Sequence, residues 1–198
     1  MKVLKYAIVV GAALGAVSAN AQFGAVSKSD LASSSTKQGL YINYSPFARY
    51  TVNGGGSSNG YVVSFEKAVS ESAKGPGVFG GMFSRAAGAN IWDFTYRQYI
   101  ESDASVGIGV LGGDGFNGKN DFSFLYFKDM ATQGEMPLNW QLCGGLYYDS
   151  VDKSTNLMAG VKGSYHVSSE VSIDAGFLYL HRGGNSGNLV TVGVGFRV

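Results

Sequence analysis

The feature that most constrains this chain is a period of two. Between Leu40 and Val198, apolar side chains alternate with small or polar ones in ten separate stretches, each broken by Gly, Asn, Ser or Asp. Such alternation puts one set of side chains on each face of a β-strand, which is what a sheet with two different surroundings needs. In 40–50, Leu40, Ile42, Tyr44, Pro46, Ala48 and Tyr50 oppose Tyr41, Asn43, Ser45, Phe47 and Arg49. Past Gly54–Gly60, Tyr61, Val63 and Phe65 oppose Ser64 and Glu66. Further strands are expected over 78–85, 91–100, 104–112, 122–128, 140–149, 157–166, 171–181 and 190–198.

Strands of roughly 8 to 12 residues match the span of a tilted transmembrane β-strand, about 9 to 11 residues. Ten is an even count, as single-chain bacterial barrels require, so both chain ends can lie on the periplasmic side. If 78–85 and a neighbour are not separate strands, the barrel has eight. The face opposite the apolar one reads as small or polar, whereas a soluble sandwich turns its apolar face inward and its charges to water. Outward aromatics fall at strand ends: Tyr50 and Tyr61 flank the first loop, Trp140 and Tyr148 bracket one strand, and Tyr165, Tyr179 and Phe196 lie near the ends of others. Aromatic girdles have this distribution. The expected fold is all-β, a transmembrane antiparallel up-and-down barrel. A soluble secreted β-domain that binds a ligand is the alternative on the same alternation.

Composition narrows the rest. Charged residues are 15% of the chain, and 30 of its 198 residues are glycine with no collagen-like repeat. A formal charge of +1 with scattered Lys and Arg leaves no footprint for nucleic acid. One cysteine, Cys143, cannot form an internal disulfide and points by parity into the barrel, and with two histidines no metal or cofactor is expected. Lys2 and Lys5, an apolar run and Ala19-Asn20-Ala21 read as a cleaved signal peptide over 1–21. A polar linker follows over 22–37, and the barrel occupies 38–198.

The stretch Tyr165-His166-Val167-Ser168-Ser169-Glu170-Val171-Ser172-Ile173-Asp174-Ala175-Gly176-Phe177-Leu178-Tyr179 is a strand, a tight polar turn and a second strand. With the closing Val190-Thr191-Val192-Gly193-Val194-Gly195-Phe196-Arg197-Val198, it resembles the small outer-membrane β-barrel proteins of diderm bacteria. The resemblance covers the whole barrel in pattern and about the last 35 residues in wording. Members of that family usually end in an aromatic residue, which the barrel-assembly machinery recognises; here Phe196 stands two places before the end. The resemblance implies an outer-membrane location and, as partners, outer-membrane lipid, lipopolysaccharide and the assembly machinery. It leaves activity open, because the architecture hosts porins, adhesins and enzymes.

His166-Val167-Ser168 is similar to the His-x-Ser of lipid A deacylase barrels, in which His activates Ser. Ser169 stands where those enzymes have Asn, and the segment reads as a turn. The omptin proteases are ten-stranded too, but their Asp-x-Asp and Asp-x-His pairs are missing from this chain. Gly54-Gly55-Gly56 and Gly112-Gly113-Asp114-Gly115 lack the strand-to-helix setting of a phosphate loop and read as hairpin loops. No catalytic, cofactor or metal residue is therefore assigned. The expected function is structural or interaction-based, or passage of very small solutes, by a monomer. The alternatives are a lipid A enzyme using His166 and Ser168, or a soluble ligand-binding domain.

Parity also sorts the two faces. Val63, Phe94, Leu142 and Val192 should face lipid. Arg49, Glu66, Asp93, Arg97, Asp149, Lys162 and Asp174 should point inward with Tyr41, Phe47 and Tyr147. Gly107, Gly109, Gly145, Gly160, Gly193 and Gly195 would leave gaps among them. Loops at about 51–60, 112–120 and 181–188 should lie at one end of the barrel, and turns near 70–77, 129–137 and 167–170 at the other.

Overall fold

A computed structural model describes residues 39–52, 56–86, 89–114, 118–130, 138–182 and 185–198. The expected signal peptide and linker lie outside these residues. Ten antiparallel strands follow one another: β1 (Leu40–Val52), β2 (Gly56–Ser70), β3 (Gly77–Ala86), β4 (Ala89–Tyr99), β5 (Ala104–Gly113), β6 (Asp121–Met130), β7 (Leu138–Asp149), β8 (Ser154–His166), β9 (Val171–Arg182) and β10 (Asn185–Arg197). Each pairs with the next, and β10 pairs back with β1, so the sheet is a closed up-and-down barrel with no free edge. The eight-strand reading is excluded, because β3 is a full ten-residue strand paired on both sides.

The strands tilt strongly. A path of paired residues starting at Leu40, near the chain ends, runs through Lys67, Phe79, Tyr96, Ile108, Phe124, Leu146, Leu157 and His181. It reaches Ser186 at the opposite rim of β10, so one circuit climbs the height of the wall. The start of β1 and the end of β10 lie at one rim, where the Val198 amide donates to the Leu40 carbonyl at 2.9 Å. The opposite rim, the loop rim, carries the ends of β1, β3, β5, β7 and β9 and the starts of β2, β4, β6, β8 and β10.

Several strands outrun their expected limits. β2 begins at Gly56, β8 at Ser154 and β10 at Asn185, so stretches read as loops are paired wall. Gly, Ser and Asn are weak strand formers, but a ladder is made by backbone groups, and a paired neighbour on each side overrides that preference.

A register slip between Ala68 and Ser70 closes β2, and over the stretches read from the sequence parity breaks in β1 alone. Val63, Phe94, Leu142 and Val192 face outward, each about two-fifths exposed. In β1, Tyr44 pairs with Val194 and Phe47 with Val192, leaving one extra residue in β1; the same slip occurs against β2. The bulge contains Pro46, which has no N–H to give a ladder, and bulges are where a strand accommodates proline. Beyond it every side chain changes face. Phe47, expected inside, is 73% exposed on the outer wall, and Arg49 is also exposed there. Ala48 and Tyr50, expected outside, are buried in the lumen.

On the outer wall of β2–β4, Phe65, Phe79, Phe94 and Trp92 form a run of rings with centroids about 6 Å apart. Gly81 lies beneath Phe65 and Phe94, so the rings cover the backbone that a missing side chain leaves bare.

Candidate functional site

A barrel can act through its lumen, its rims or its outer wall. The lumen has two unlike halves. Toward the loop rim it is apolar: Val62, Met82, Ile91, Leu111, Leu125, Met158, Leu178, Leu180 and Leu189 are buried in one cluster with Tyr50 and Tyr147. This septum corrects the expectation that the inward face is merely small or polar. In runs such as Leu178-Tyr179-Leu180 both faces are apolar, so alternation does not reveal what lies inside. Cys143 packs against the same cluster, as parity indicated.

Toward the chain ends the lumen is ionic. Arg97 Nη2 donates to Glu66 Oε2 at 3.3 Å, and both side chains are almost wholly buried. The same guanidinium donates from Nη1 to the Tyr99 hydroxyl at 3.2 Å and to Ser105 at 3.3 Å, and lies against the Tyr99 and Phe127 rings. Tyr99 in turn donates to Asp129 at 2.7 Å, whose other oxygen accepts from Gln141 at 2.6 Å. A second group centres on Asp174, which pairs with Lys162 at 3.4 Å and accepts from Tyr41, from Asn43 at 2.6 Å and from Ser172 at 3.0 Å. Buried charges need such partners, since the desolvation cost of each is several kcal/mol. These networks were not legible in the sequence, because register around the barrel decides which inward groups meet.

Of the seven charged residues expected inside, six are there and Arg49 is not. Asp93 lies between Met82 and Leu111 in register, and its Oδ1 accepts from Thr95 at 3.3 Å. Asp149 serves the loop rim, accepting from the Val151 and Asp152 amides at 2.8 and 2.9 Å. Asp121 and Arg197 are further buried charges; Asp121 accepts from the Tyr147 hydroxyl at 2.7 Å.

Three of the inward glycines sit against large neighbours. A Cβ on Gly195 would meet the Tyr41 ring, one on Gly107 the Arg97 and Phe127 side chains, and one on Gly145 Leu125. Each of these spaces is filled by a large neighbour.

His166 and Ser168 stand at the rim of the chain ends. The Ser168 oxygen accepts from the Glu170 and Val171 amides, at 3.2 and 3.1 Å, and so builds the turn between β8 and β9. The His166 ring meets Asn139 at 2.9 Å and the Arg197 guanidinium, which also donates to the Ser169 carbonyl at 2.6 Å. This arrangement ties the last strand to the preceding hairpin.

The outer wall is apolar and aromatic, with Ile108, Phe122, Phe124, Leu146 and Leu157 each about half exposed or more. An outer face this apolar around a closed barrel, with the buried charges confined to the lumen, is that of a transmembrane barrel. Changing Gln141 to Arg should be tolerated, because the new guanidinium would face Asp129 inside the lumen. The same change at Leu142, one residue away on the lipid face, should lower the yield of folded barrel several-fold. Heat-modifiable gel migration measures both, and equal yields would contradict the assignment of faces.

No protein-family model and no curated protein sequence matches the chain. Among solved structures the chain is similar to the KdgM porin, at 13% identity and a TM-score of 0.45, over 80% of this chain and 99% of that one. It is similar to the translocator domain of the autotransporter NalP from Neisseria meningitidis, at 12% identity and a TM-score of 0.44, over 100% and 98% of the two chains. Neisserial surface protein A is similar at 15% identity and a TM-score of 0.37, over 80% and 97%. The barrel assignment itself rests on this chain's own strand pairing.

Proposed function

We propose that this chain is a non-enzymatic outer-membrane barrel whose lumen is closed and whose working surfaces are its wall and its rims. The observation that carries this reading is the apolar septum from Met82 to Leu189, which fills the loop half of a ten-stranded lumen. Barrels of about eight strands have interiors that side chains just fill, whereas water-filled porins have 16 to 18. The ionic half adds no open route, because its charges are engaged with one another. Its role is thus structural or one of interaction, in contact with outer-membrane lipid and lipopolysaccharide, after insertion by the assembly machinery.

Purified protein in planar bilayers should give little or no steady conductance. Large, stable openings would overturn the closed-lumen reading. Orientation is read separately: with the chain ends in the periplasm, an epitope at Lys119 should be labelled on intact cells and one at Ala73 should not. Fractionation with detergent-soluble envelope protein tests the membrane location itself, and release into buffer without detergent would count against it.

A further inference from the structure

We propose that Arg49 and Arg85 form a site on the outer wall of β1–β3 for a phosphate of lipid A, the membrane anchor of lipopolysaccharide. This inference rests on the outer-membrane reading above and gives one partner its place on the wall. It begins with the Pro46 bulge. Without that extra residue Arg49 would point into the lumen; with it, the guanidinium stands on the lipid-facing wall. There Arg49 pairs in register with Asn59 of β2, and Arg85, outward on β3, pairs with Tyr61. The two arginines therefore flank β2, with Asn59 and Tyr61 between them. Arg49 reaches across to the Ser57 hydroxyl at 3.4 Å.

Neither arginine forms an ion pair with a carboxylate among the described residues, although only β2 separates the two. The nearest acidic group in register is Asp114, engaged by the amide and side chain of Asn90 at 2.9 and 3.1 Å. An outward arginine at the bilayer midplane is costly, but near the interface the cost falls almost to nothing. Arg85 is the penultimate residue of β3 and Arg49 lies three before the end of β1, so both belong to the loop-rim boundary of the apolar belt. Two residues deeper on the same outer columns stand Phe47, Val63 and Phe83, all exposed. The patch thus has acyl-contacting side chains below and guanidiniums with hydroxyl and amide groups above. That order suits a lipid whose chains enter the membrane beneath a phosphorylated head. Guanidinium binds phosphate through paired charge-assisted hydrogen bonds, a geometry that lysine does not reproduce. Lipid A rather than a phospholipid is named because the loop rim faces the outer leaflet in the orientation proposed above.

The test is native mass spectrometry of the detergent-folded barrel titrated with diphosphoryl lipid A, dephosphorylated lipid A and phosphatidylglycerol. Wild type should retain diphosphoryl lipid A, and the Arg49→Gln/Arg85→Gln double variant should bind it at least about tenfold more weakly, the loss of one strong contact. Heat-modifiable migration shows that the variant is folded. Should it fail to fold, the comparison of lipids on wild type still decides, since removing the phosphates should weaken binding by a similar factor. Equal binding by variant and wild type, no dependence on phosphate, or phosphatidylglycerol held as tightly as lipid A would each overturn the proposal. Because this measurement is made in detergent, its failure is distinct from failure of the fractionation that tests the membrane reading.

Discussion

Replacing Arg97 with methionine should destabilise the folded barrel by about 3–5 kcal/mol, the cost found when one partner of a buried ion pair is removed. Arg97 is about 1% exposed, and its removal leaves the Glu66 carboxylate in the lumen without its guanidinium. Tyr99, Ser105 and the Phe127 ring lose a contact in the same step. The cost lies mainly in the abandoned charge rather than in the lost attraction. A second substitution that removes the charge should therefore recover most of the loss: Glu66→Leu in the Arg97→Met background gives an apolar pair of similar volume. The denaturant midpoint of the detergent-folded protein, followed by heat-modifiable migration, measures both variants. A single variant within about 1 kcal/mol of wild type would mean that the lumen is hydrated around this pair.

The second large effect belongs to the lipid face. Ile108 lies in the middle of β5, is 62% exposed, and has Tyr96 and Phe124 as its register partners on either side. Ile108→Arg should cost about 2–4 kcal/mol, the penalty for arginine near the bilayer midplane. Ile108→Phe should cost little, because the position asks only for apolar contact with acyl chains. The fraction of barrel folded into lipid vesicles separates the two, and equal folding would mean that no lipid surrounds β5. Against a typical total stability of about 5–15 kcal/mol, either charged change is a large share.

How much of this was legible in the sequence differs between the two faces. The outer face was read almost completely, since lipid demands apolar side chains at every second position and tolerates few exceptions. The lumen sets no such uniform demand. Leu178 and Leu180 face inward beside outward Phe177 and Tyr179, and a run apolar on both faces carries no parity signal. The septum was missed for that reason. The pairing of Arg97 with Glu66, on β4 and β2, depends on register summed through β3, which no local pattern contains. The misplacement of Phe47, Arg49 and Tyr50 has a single cause. Strict alternation takes Pro46 as one more position of the outer face, whereas whether a proline ends a strand or inserts a residue into it is decided by the neighbours, β2 and β10, that continue past it. The candidate lipid A site follows from that bulge and was invisible to strict alternation.

The pairing of β1 with β10 has a consequence in time. Nine of the ten strand pairs join strands consecutive in the sequence, whereas the tenth joins the first to the last, Tyr41 opposite Arg197. Contacts that span the whole chain carry the largest closure entropy and slow folding the most. Every earlier stage of assembly is an open, curled sheet with two unpaired borders, each able to capture another strand. Because β1 and β10 are the strands farthest apart in the barrel's sequence, both borders stay open until those two meet. Loosening the tie between Arg197 and the β8–β9 turn should therefore lengthen the interval in which two such chains can aggregate, even where the finished barrel is scarcely weakened.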